Sequence, residues 1–166
     1  MKRMVKKGFT LVEILIVVII LGILAAIVIP QFTEASAEAR ISNLVTNLQT
    51  VRSQLLLYKT QHIESYPGAA GTPDLLVFGP QMTQYTDAAG NVSPVPTTVF
   101  LYGPYLQQVP INPINGLDTV NITDTAADVN PESGLSGWWL NRITGEFRAN
   151  LADTWVKPDG TILNTL

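Results

Sequence analysis

Apolar side chains follow three regimes along the chain. From Phe9 to Ile29 they run almost without a break, interrupted only by Thr10, Glu13 and Gly22. From Ala37 to Tyr58 they recur at Ala37, Ile41, Leu44, Leu48, Val51, Leu55 and Tyr58, in alternating steps of four and three. Beyond residue 60 they fall in short clusters separated by Pro, Gly, Asn and Thr. Each regime predicts a different kind of element.

The first regime is 21 residues long. As a helix it spans roughly 31 Å, close to the hydrocarbon thickness of a bilayer. Its β-branched residues would suit a strand in water. In lipid an open strand leaves backbone groups unpaired, so the pattern predicts a helix. Pro30 ends the run and predicts a kink or local unwinding, since it removes a donor and crowds the preceding turn.

The second regime is a heptad-like stripe. Polar residues, among them Glu34, Glu38, Arg40, Arg52 and Lys59, occupy the other faces. This predicts an amphipathic helix over 31–60 that lays its stripe on a globular head. From Phe9 to Thr60 one helix would extend roughly 78 Å.

The third regime, 61–166, predicts a small head. Thr72-Pro73-Asp74 reads as a cap followed by Pro at the first helical position, giving a short helix over 73–78. Residues 79–98 read as a loop or irregular hairpin around Ala89-Gly90-Asn91. The strongest strand signal is Trp138 to Leu151, with Thr144-Gly145 closing a hairpin that pairs Ile143 with Glu146. That register puts Trp138, Leu140, Phe147, Ala149 and Leu151 on one face of a half-buried antiparallel pair. Lys157-Pro158-Asp159-Gly160 is a further turn, between Trp155-Val156 and Thr161-Ile162-Leu163. The expected fold class is α+β: a long N-terminal helix, kinked near Pro30, against a small antiparallel sheet of three or four strands.

Charge sharpens the first regime. Four of the ten Lys and Arg (Lys2, Arg3, Lys6, Lys7) precede Gly8. Six basic side chains then remain against all 13 acidic ones, a balance of −7. The basic flank predicts a cytoplasmic N-terminus. The acidic remainder does not attract nucleic-acid phosphates. Glu13 sits near the start of a span where a charge is expensive, which marks it as functional. A plain signal-anchor gives Glu13 no task beyond snorkelling to the interface. A secretory signal peptide, cut after the apolar run, also leaves it idle.

Lys7-Gly8-Phe9-Thr10-Leu11-Val12-Glu13, followed by the apolar helix and Pro30, resembles the class III signal of type IV pilins and type II secretion pseudopilins. The resemblance covers about the first 60 residues. It implies a leader, 1–8, cut after Gly8 by a prepilin peptidase, and N-methylation of the new N-terminus at Phe9. It implies a filament-core and membrane helix over 9–30, with Glu13 and Pro30 as assembly residues. In the family the Glu13 carboxylate pairs with the N-terminal amine of a neighbouring subunit. Gly8 would let the scissile bond approach an active site closely. Implied partners are other copies, pilin-like subunits, the prepilin peptidase, an inner-membrane assembly platform and membrane lipid, without direct nucleic acid. The implied location is the bacterial inner membrane, then a periplasmic or extracellular filament.

Gly103-Pro104-Tyr105-Leu106, Pro110, Asn112-Pro113 and Trp139 to Asn150 resemble a major-pseudopilin head, more weakly. Such heads carry an acidic, Gly-rich loop that binds calcium. The comparable stretch here offers Asp118, Asp124 and Asp128, with Asn130 and Glu132, in no recognisable ligand spacing. It therefore reads equally as a solvated polar loop, and no other cofactor is expected. There is no cysteine. Disulfides and thiolate zinc are thereby excluded, and so is the C-terminal cysteine pair of adhesive pilins. The single histidine, His62, reads as a surface or helix-cap residue. Paired histidines, a phosphate-binding loop and a nucleophile elbow are all missing, so no enzyme is expected. The expected function is a pseudopilin that polymerises through its N-terminal helix to drive protein export. The alternatives are a type IV or DNA-uptake pilin, and a membrane-anchored binding module that never polymerises.

Overall fold

The β-branched run folds as a helix. In a computed structural model, which describes residues 8–68, 77–127, 130, 133–152, 154–157 and 159–166, helix α1 extends over Leu11–Gln61. It passes through Pro30 without interruption, so the expected local unwinding does not occur. The Thr33 hydroxyl donates to the Pro30 carbonyl at 2.7 Å in the next turn.

The chain divides into two compact units, residues 1–39 and 40–166. In the first, every described residue is exposed, including the large apolar side chains from Leu11 to Ile29. α1 contains an 18-residue window apolar enough to cross a membrane, with none of it buried inside the protein.

In the second unit the stripe is covered. Leu44, Leu48, Val51, Leu55 and Tyr58 are buried, and Ile41 is partly buried against them. Burying each such side chain contributes about 1.5–3 kcal/mol. α1 ends in a left-handed pair, Ile63 (φ 53°) and Glu64 (φ 59°). The Glu64 amide turns back to the Lys59 carbonyl at 3.2 Å. This 6→1 bond closes the helix as a Gly normally would.

Helix α2, Phe78–Thr83, contributes Phe78 and Met82 to the core. The expected helix over 73–78 lies almost wholly outside the described residues. Gln81 of α2 ties two loops together: its Oε1 accepts the Gly68 amide at 2.7 Å and its Nε2 donates to the Gly90 carbonyl at 2.8 Å. The irregular hairpin around Ala89-Gly90-Asn91 forms, with β1 (Tyr85–Thr86) antiparallel to β2 (Val92–Ser93).

The main sheet has three strands, β3 (Val120–Thr123), β4 (Trp138–Asn141) and β5 (Glu146–Ala149), in that order. β4 and β5 are antiparallel as expected, but β3 runs parallel to β4, so the sheet is mixed. The hairpin register differs from expectation by two residues: Asn141, not Ile143, faces Glu146. The Asn141 side chain explains the shift. Its Oδ1 accepts the Ile143 and Thr144 amides at 3.0 and 3.1 Å, while its carbonyl accepts Gly145 N–H at 2.8 Å. These bonds hold a four-residue loop, 142–145.

A slip of two preserves the faces, whereas a slip of one would invert them. Trp138, Leu140, Phe147, Ala149 and Leu151 are accordingly all buried. Trp138 stacks on Phe147 at 5.4 Å and donates its indole N–H to the Pro110 carbonyl at 2.8 Å. β4 is buried on both faces, not half-buried, because Trp139 on the opposite side is 0% exposed. The turn at 157–160 closes only one antiparallel bridge, Val156 with Ile162, before a 3-10 turn at Leu163–Thr165.

Candidate functional site

The start of α1 is built from three residues. Thr10 precedes the helix, and its hydroxyl accepts the Glu13 amide at 3.2 Å. The Glu13 carboxylate reaches back: Oε2 accepts the Thr10 amide at 2.8 Å and the Thr10 hydroxyl at 2.7 Å. This reciprocal capping box satisfies donors that a helix start otherwise leaves open. The carboxylate also lies where the helix dipole favours negative charge. Glu13 therefore has a local partner as well as the distant one that the resemblance implies. Among the described residues Oε1 accepts no hydrogen bond, so half of the carboxylate still faces outward. Thr10 was not singled out by sequence reasoning, although the Thr-x-x-Glu pattern signals it.

Phe9 is 83% exposed, and a Cβ added at Gly8 would meet nothing within 4 Å. Nothing within this chain crowds Gly8, so its small size matters only to a partner that grips the backbone there. Gly8, Phe9 and Glu13 lie within six residues of one another, whereas Pro30 is more than four helical turns further along.

The calcium candidates do not assemble. Asp118 and Asp124 are exposed and flank opposite ends of β3. Four strand residues rise about 13 Å. Ligands of one calcium lie about 2.3–2.6 Å from it, so these two carboxylates cannot share an ion. Asp128 and Glu132 lie outside the described residues. Among the described residues no group of three or more His, Cys, Asp or Glu could hold a metal.

His62 departs from expectation. It is 2% exposed and continues the stripe one step beyond Tyr58. Its ring stacks on Tyr58 at 3.7 Å. Nδ1 donates to the Tyr58 carbonyl at 2.8 Å, which leaves Nε2 to accept from the Thr86 hydroxyl at 2.9 Å. It is a packing residue tying α1 to β1. The four-residue step from Tyr58 was the available signal.

Comparison with known proteins places these features. The family described as "Prokaryotic N-terminal methylation motif" matches residues 3–29. The type II secretion system core protein G of Pseudomonas aeruginosa is 34% identical over 113 residues, 68% of this chain and 71% of that protein. The corresponding protein of Klebsiella michiganensis is 36% identical over 67 residues, 40% of this chain and 46% of its own. The type IV major pilin protein PilE1 of Neisseria gonorrhoeae is 32% identical over 91 residues, 53% of this chain and 42% of its own. No solved structure matches the chain. The chain belongs to the family of type IV pilins and type II secretion pseudopilins, and is a structural subunit of a pilus-like filament. Its apolar helix and methylation motif fit membrane anchoring followed by filament assembly.

Proposed function

We propose that this subunit is a pseudopilin of a type II secretion apparatus, polymerising through its N-terminal helix to drive protein export. The observation that carries this reading is the reach of the similarity. The match to the secretion protein spans 113 residues, more than the N-terminal 60 can supply, and so extends into the head. Pilin matches such as the 48-residue one to a Pseudomonas aeruginosa fimbrial protein fit within the N-terminal helix in length.

In this reading a prepilin peptidase cuts after Gly8 and Phe9 becomes a methylated N-terminus. The mature helix, 9–30, crosses the inner membrane once with its N-terminus cytoplasmic. An assembly platform extracts the subunit into a filament of like subunits, in the periplasm or beyond. The Glu13 carboxylate, with Oε1 open, accepts the amine of a neighbour's Phe9. A buried ion pair is favourable only when its geometry is met, and a missing partner leaves an uncompensated charge. The pair thus rewards correct register. Pro30 lacks an amide and so leaves one carbonyl in the helix without its donor. The chain carries out no catalysis and makes no direct nucleic-acid contact.

The mass of the mature chain tests this. A chain beginning at Phe9 and heavier by one methyl group is expected, together with short periplasmic filaments on overproduction. A mature chain retaining residues 1–8 would overturn the reading. Long surface pili in place of pseudopili would favour the type IV alternative.

A further inference from the structure

The chain between β3 and β4 is where the head's family would place a calcium ion, yet its anchoring is of another kind. Asn150, 0% exposed, follows β5 and spends its whole side chain on this segment. Oδ1 accepts the Ser133 and Gly134 amides at 2.9 and 3.4 Å. Nδ2 donates to the Ser136 hydroxyl at 2.7 Å and the Ser133 hydroxyl at 3.2 Å. The Ser136 hydroxyl in turn donates to the Trp138 carbonyl at 2.9 Å, so its single proton is committed.

Other asparagines repeat the device. Asn141 Nδ2 donates to the Thr125 carbonyl at 3.0 Å, and Asn130 Nδ2 to the Ala149 carbonyl at 2.8 Å. Asn112 Nδ2 donates to the Gly137 carbonyl at 2.7 Å, and Asn115 Nδ2 to the Ser136 carbonyl at 2.9 Å. Gly137 is pressed against the Leu117 carbonyl, where an added Cβ would stand at 2.1 Å. The oxygens that might ligate a hard cation are therefore already accepting from neutral amides. Calcium needs six to eight oxygens free to face it.

We propose that this asparagine lock does what a bound divalent cation would do, and that the head folds and stays folded without calcium, with Asn150 as its central positioning residue. The inference stands on the head's own geometry and is independent of which filament the subunit builds.

The test uses the full chain in detergent micelles, with melting followed by near-UV circular dichroism of the buried Trp138 and Trp139. The wild-type midpoint is expected to agree within about 1 °C in 1 mM EDTA and in 1 mM calcium chloride. A site half-filled at about 10 μM would raise it by about 5–10 °C at that calcium concentration, and such a rise would overturn the proposal. Asn150→Asp keeps the shape but loses both amide donors, and sets a carboxylate against a Ser136 oxygen whose proton is committed. It is expected to melt about 5 °C lower, with or without calcium. A midpoint equal to wild type would sink the lock. Should that variant not accumulate folded, Ser136→Ala carries the same test: a drop of about 3 °C supports the lock, and an unchanged midpoint overturns it.

Discussion

Single residues at the ends of α1 show where the chain accepts local cost. Ile63 holds φ 53° although it is β-branched and 79% exposed. A left-handed L-residue costs about 1–2 kcal/mol, and so exposed a side chain recovers little of it. Ile63→Gly should therefore stabilise the head by about 0.5–1 kcal/mol net of glycine's extra unfolded entropy. Urea unfolding checks this, and a lower midpoint would show that Ile63 makes a contact that outweighs the strain. Asp87 is a second case. The Asn91 side-chain amide, followed by the backbone amides of the loop, holds its carboxyl below the ordinary carboxylate range. A depressed folded value contributes stability that is full above about pH 4 and lost as pH falls through that value. Asp87→Asn should flatten the fall of the melting midpoint between pH 5 and pH 3. An unchanged slope would assign the acid sensitivity elsewhere.

At the scale of elements, burial separates residues that composition treats alike. Leu48 and Leu56 both lie on α1, but Leu48 is 1% exposed and Leu56 58%. Leu48→Ala should cost about 2–5 kcal/mol of head stability, and Leu56→Ala about 0.5 kcal/mol or less. Equal losses in urea unfolding would contradict the assignment of the helix face. That face was legible in the sequence, because a stripe of fours and threes has one geometric solution on a helix. The hairpin face was legible for the same reason at period two, and it survived a two-residue error in register. The register itself was hidden in Asn141, whose side-chain bonds lengthen the loop and leave no periodic trace. β3 was hidden because four residues, Val120 to Thr123, are too few to show alternation, and parallel pairing has no turn to announce it. His62 was misread because a lone histidine after a helix suggests a cap, while its spacing from Tyr58 belonged to the stripe.

For the whole molecule, the membrane and filament roles are carried by one short motif and one helix. Thr10 and Glu13 close the helix start, and the open Oε1 of Glu13 remains for a second partner. If that partner is a neighbour's N-terminal amine, the charge matters for assembly and not for cleavage. Filament recovery from Glu13→Gln cells, compared with wild type at equal levels of processed subunit, tests this most directly. Glutamine retains the acceptor for Thr10 but removes the charge. The account predicts a subunit cut before Phe9, held in the membrane, and nearly absent from the sheared-filament fraction. Filaments of wild-type number and length from Glu13→Gln would contradict it.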